Sequence, residues 1–135
     1  MNRSIAIVVI LISVSVMTVL SQKRPYDVVM KDINVTFASL KQNLDSNAMS
    51  TAVEDATKLQ GLFKETEDFW LPFKTKDAIE SARAAKLAAE AIANAAKEGN
   101  VQKAQTAYGS IGKNCKGCHD SHRELMPDKS YRIKP

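Results

Sequence analysis

The stretch KDAIESARAAKLAAEAIANAAKE, residues 76–98, decides how this chain folds. It contains neither proline nor glycine, and it is built largely on alanine, the residue that gives up least on entering a helix. Ala78, Ala82, Ala85, Ala89, Ile92 and Ala96 follow one another in steps of four and three, so they return to one face and predict a helix with a narrow, small-residue inner side. Small inward side chains let neighbouring helices come close. Directly afterwards, Gly99-Asn100 supplies a helix-ending glycine and then an N-cap, so the chain turns sharply into a further helix. That helix carries the stripe Ala104, Tyr108, Ile111, Cys115, Cys118, His122 and Leu125. Pro127 is its expected stop, and Asp128–Pro135 reads as a polar tail.

Two more helices are legible upstream. From about Pro25 to Asp45, Tyr26, Met30, Ile33, Phe37, Leu40 and Leu44 share a face, with Pro25 in the first turn where a missing N–H costs nothing. A second helix is predicted to start at a capping box, Thr51-x-x-Glu54, to place Val53, Ala56, Leu59 or Gln60, Phe63 and Thr66 on one stripe, and to end before Pro72. Between Glu67 and Lys74 the run Asp-Phe-Trp-Leu-Pro-Phe is a compact apolar connection whose aromatics need burial; it can plug one end of the fold or line a cofactor. Glycine and proline are scarce, and aromatic and β-branched residues are too thin after residue 45 to build strands. The fold class is therefore all-α, and four amphipathic helices with short connections pack most simply as an antiparallel up-down-up-down four-helix bundle.

At the other end of the chain, Met1-Asn2-Arg3 is a short positive lead before an almost purely aliphatic run from Ile5 to Leu20. This is the pattern of an export signal, residues 1–21, with cleavage expected after Ser21. The competing reading, a retained membrane anchor, needs roughly 20 apolar residues to span a bilayer comfortably, and the run falls short. Residues 22–135 then form one domain. Setting aside Arg3 leaves eighteen Lys and Arg against fifteen Asp and Glu, a net charge of +3. The cations are interspersed with acids along the chain, which excludes the clustered positive stripe of a nucleic-acid binder.

The chemistry sits in Cys115-Lys116-Gly117-Cys118-His119. Two thiols three residues apart lie on one helical face, where each can form a thioether with a haem vinyl group, and His119 rises from the same turn to reach the iron. Three rivals use the same residues. A redox-active dithiol normally opens a helix beside a parallel sheet, and no strands are expected here. A zinc site from Cys115, Cys118, His119 and His122 would stretch four ligands over roughly 10 Å of one rigid rod, too long to wrap a tetrahedral ion. A structural disulfide is the third. Export to an oxidising compartment favours covalent haem attachment.

With these residues in view, the chain resembles the class II cytochromes c, the cytochrome c-prime family. The likeness covers essentially all of residues 22–135 and is most specific over Ile111-Gly112-Lys113-Asn114-Cys115-Lys116-Gly117-Cys118-His119, followed by Arg123. It implies one covalently bound haem c, with Met30 early in the first helix facing the distal side of the iron. Geometry agrees: first and last helices are antiparallel neighbours in such a bundle, which sets Met30 and His119 at similar heights. If the Met30 thioether coordinates, the iron is six-coordinate, low-spin and suited to electron transfer. If Met30 only packs, a five-coordinate iron keeps a pocket for nitric oxide or carbon monoxide. Plain core packing is the blander role of a methionine on an apolar stripe. The matching arginine in relatives suggests that Arg123 pairs with a haem propionate or covers the proximal face; a solvated surface arginine is the alternative. His122 departs from the family, where many members carry Phe or Tyr, and reads as a haem-wall residue. Gly112, one turn before Cys115, reads as a place of close approach by the macrocycle or a neighbouring helix.

The expected function is periplasmic electron transfer without substrate chemistry, so an electron carrier and not an enzyme. Lys113, Lys116 and Arg123 near the attachment site can steer an acidic redox partner protein. No nucleic acid is implied, nor stable membrane insertion once the signal is cleaved. Relatives often form homodimers through their first two helices.

Overall fold

The computed structural model describes residues 23–135, and the expected export signal lies outside them. Four helices follow in order: α1 (Tyr26–Asp45), α2 (Met49–Trp70), α3 (Lys76–Lys97) and α4 (Val101–His122), with a short 3-10 turn, Leu71–Phe73, between α2 and α3. They pack as the expected four-helix bundle. Pro25 sits just ahead of α1 and its carbonyl accepts the Val28 and Val29 N–H groups at 3.1 and 3.2 Å. At the head of α4, Asn100 accepts the Lys103 N–H on its side chain at 3.0 Å, as an N-cap does. The preceding Gly99 has φ +70°, a left-handed conformation that glycine adopts without strain.

The start of α2 differs from expectation. No capping box forms: the helix begins two residues before Thr51, whose hydroxyl donates back to the Ala48 carbonyl at 3.0 Å. The reason is Asn47, which takes a left-handed φ of +58° and reverses the chain at once. The apolar connection is also shorter than the sequence suggests. Phe69 and Trp70 belong to the last turn of α2, and Leu71 and Phe73 remain about half exposed.

The end of α4 is the larger correction. The helix stops at His122 because Arg123 turns extended, at φ −120° and ψ 123°. Leu125 is thus off the helical stripe and exposed. The presumed polar tail instead forms a two-stranded antiparallel hairpin, β1 (Arg123–Leu125) and β2 (Tyr131–Ile133), with Glu124 opposite Arg132.

Packing is uneven around the bundle. α3 presses closely on both α2 and α4 along its alanine face, α1 leans on α2, and α1 and α4 barely touch. Leu40, Leu59, Ile92 and Ile111 are fully buried in the solid part of the core. Among the described residues, no helix is long and apolar enough to cross a membrane.

Candidate cofactor cavity

Because α1 and α4 stand apart, a cavity of about 660 Å³ opens between them, bounded behind by α2 and α3. That volume falls within the roughly 300–1,000 Å³ of small-molecule and cofactor sites. From α4 it receives Cys115, Cys118 and His119; from α1, Met30; from the first residue of β1, Arg123. All five residues singled out in the sequence therefore line one space. Met30 is the fifth residue of α1 and His119 the fourth from the end of α4, which keeps them at similar heights although α4 is shorter than its stripe implied.

Aromatic side chains close the two ends. At one end Trp70, 1 % exposed, donates its indole N–H to the Tyr26 hydroxyl at 3.0 Å, while Tyr26 stacks on Phe69 with ring centres 3.9 Å apart. Trp70 thus plugs the bundle and lines the cavity at once. At the other end Phe37 lines the cavity and is backed by Tyr108, which stacks almost parallel on it at 4.1 Å and donates its hydroxyl to the Phe37 carbonyl at 3.2 Å.

The back wall is made of residues that sequence reasoning had treated as simple packing. Ala78, Ala82 and Ala85 of α3 face the cavity, as do Phe63 and Thr66 of α2. A Cβ added at Gly112 would meet nothing closer than the Phe37 ring at 3.9 Å, so this glycine opens space toward the cavity and does not answer a tight helix contact. Tyr131 and Ile133 of the hairpin also line it. The only local signal for them was the alternation Tyr131-Arg132-Ile133, too short to distinguish a strand.

The electrostatics match a buried, apolar setting. Burial pushes the Cys115 thiol up to about 11, helped by its neighbour Cys118, and Cys118 is raised as well, by burial and then by Asp77. A redox-active dithiol requires a shift in the opposite direction. The two sulfurs are not bonded to each other. His119 is pushed toward its neutral form, first by burial and then by Arg123, so its imidazole keeps a lone pair to offer. His122 offers none freely, because its two ring nitrogens already face the Lys134 carbonyl and the Asp77 carboxylate, each at 2.8 Å. Arg123 is not one turn along the helix from His119. It begins β1, with its guanidinium over the Tyr131 ring at 4.1 Å.

These residues fit a haem. The walls are apolar, small side chains leave room for a flat ring, and a half-buried imidazole and a thioether stand on facing helices.

The family model described as Cytochrome C' matches residues 22–123, about three quarters of the chain. No curated protein and no solved structure matches. With the four-helix fold and the cavity already described, that match makes the chain a member of the cytochrome c-prime family, and so a haem protein.

Proposed function

We propose that this chain is an exported periplasmic electron carrier with one haem c, attached through Cys115 and Cys118 and held axially by His119 and Met30. The haem, when bound, supplies the one-electron couple. The observation that carries the reading is the convergence of Cys115, Cys118, His119 and Met30 on one cavity from two helices that hardly touch each other.

Each side chain has a definable task. Cys115 and Cys118 tether from a single helical turn, so attachment and ligation share one rigid frame. His119, whose burial favours the neutral imidazole, would offer its lone pair to the iron. Met30 offers a polarizable thioether from the opposite wall. Tyr26, Trp70 and Phe37 give the haem apolar walls, and an apolar setting favours the less charged reduced state. Arg123 stands at the cavity mouth, where it can meet a propionate carboxylate. The apolar run at residues 5–20 supports export.

The test begins with intact mass of protein recovered from a host competent in cytochrome maturation, which reads both signal removal and the added haem. An absorption spectrum follows. Low-spin bands with the weak far-red band of iron–methionine ligation are expected, and Met30→Ala should convert the iron to high spin. A wild-type spectrum that is already high-spin and shifts with carbon monoxide would replace electron transfer by binding of nitric oxide or carbon monoxide. Protein recovered without haem would overturn the assignment.

A further inference from the structure

The hairpin of residues 123–133 lies almost wholly beyond the stretch that matches the family, which ends at 123. Two strands of three residues are at best marginal on their own in water, so something must fasten them. The turn is locally ordered: Asp128 accepts from the Ser130 N–H and hydroxyl at 2.9 and 2.6 Å, and Met126 donates its N–H to the Ser130 carbonyl at 2.9 Å. The Arg132 guanidinium meets the Glu124 carboxylate across the strands at 2.6 Å. These contacts shape the hairpin but do not attach it to the bundle.

The attachment runs through His122. Its backbone carbonyl accepts the Lys134 N–H at 2.8 Å, and its Nδ1 faces the Lys134 carbonyl at 2.8 Å, a reciprocal pair in which Nδ1 must donate because a carbonyl only accepts. Its Nε2 faces the Asp77 carboxylate at 2.8 Å, and this contact is the chief cause that holds Asp77 below the usual carboxylate range. The imidazole is 12 % exposed and lies 5.1 Å from the Trp70 ring. One side chain thus joins the end of α4, the start of α3 and the return strand. Ile133 packs against the buried cluster of Trp70, Ala78 and Ile79, and so does Cys118.

We infer that His122 is a positioning residue that clamps the hairpin across the cofactor cavity, so that Tyr131 and Ile133 become its outer wall on the Cys118 side. The inference rests on the reading above that the cavity holds a haem. It explains why histidine stands here: both ring nitrogens are used, and a phenylalanine would keep the contact with Trp70 but release the strand. The clamped wall lowers solvent access to the cavity, which would raise the potential of a haem bound there and slow entry of small reagents.

The test uses the full-length holoprotein, its haem first verified by mass, with His122→Phe and, as a second variant, a chain stopped after Leu125. In His122→Phe the amide exchange of Met126 and Lys134 should quicken by about tenfold, the order implied by losing one or two hydrogen bonds. Both variants should lower the midpoint potential and speed reduction by a small-molecule reductant, while far-UV circular dichroism keeps its helical signal. In the shortened chain, adding His122→Phe should shift the potential no further. A merely structural histidine would lower the melting temperature and leave the potential unmoved; that result, in either variant, overturns the inference. Should the wild type itself carry no haem, the functional reading fails first and is recognised by mass alone.

Discussion

Glu67→Gln isolates the one buried charged side chain among the described residues. The Glu67 side chain, 8 % exposed on α2, accepts from Arg83 Nε at 2.7 Å and from Lys86 Nζ at 3.1 Å, both on α3. The hydrogen bond from Arg83 lowers its pKa most, against the opposing effect of desolvation, with Lys86 adding to the lowering. Hydrogen bonds to charged groups contribute about 1.5–3 kcal/mol each. Here the cations still reach water, and glutamine keeps one acceptor, so the net loss should be about 1–2 kcal/mol, or roughly 4–8 °C in melting temperature for a domain of this size. Because the folded pKa lies below the unfolded value of about 4.3, the stabilisation is fully present above that pH and disappears as pH falls through the folded value. Thermal unfolding followed at 222 nm should therefore show a gap between wild type and variant at pH 7 that narrows below about pH 4. A gap that persists undiminished at pH 2, or no gap at pH 7, would refute the reasoning.

Further outcomes follow from the same contacts. Tyr26→Phe leaves the Trp70 indole N–H without its acceptor in a site 1 % exposed; the expected loss is about 1–3 kcal/mol, and an unchanged urea midpoint would contradict it. Ala82→Leu, on the cavity's back wall, should cut haem incorporation per polypeptide while leaving the helical dichroism intact; normal incorporation would argue against the cavity as the haem site. Asn100→Ala removes a formed cap and should cost about 1 kcal/mol, whereas Thr51→Ala, whose hydroxyl caps nothing, should be close to neutral in the same denaturation assay. Equal costs would mean that the two helix starts were misread.

Local signals carried the helices and the cysteine motif, while contacts between distant residues were hidden. Ala78 through Ala96 marked α3 because period and propensity agree within a few turns, and Gly99-Asn100 marked the head of α4 by its own chemistry. Thr51-x-x-Glu54 carried the same kind of signal and was overridden by one residue, Asn47, whose left-handed backbone turns the chain early. The stop of α4 could not be read at all. Pro127 was the visible breaker, but the helix yields at Arg123 to a strand whose partner lies ten residues on and whose anchor bonds pair His122 with Lys134. The alanines were legible as small and inward, yet the same small residue serves close packing at Ala89 and Ala96 and a cavity wall at Ala82. Only the position of α1 tells these apart.

That position follows from two seams on α1, offset by a few residues. Val29, Thr36, Leu40 and Leu44 are buried in the bundle, Tyr26, Met30 and Phe37 are turned toward the cavity, and Ile33 is buried where the two seams meet. Leu40 and Leu44 hold α1 where the core is solid; nearer its start the second seam holds it away from α4. Space between helices that larger side chains could have filled forfeits the packing contacts of a solid core. A chain selected for stability alone would place larger residues than alanine on α3 and draw α1 against α4. This chain keeps Ala78, Ala82, Ala85 and Gly112 small and directs two thiols, an imidazole and a thioether into the same hollow. The proposed haem would occupy that space, with these four side chains as its points of attachment and ligation.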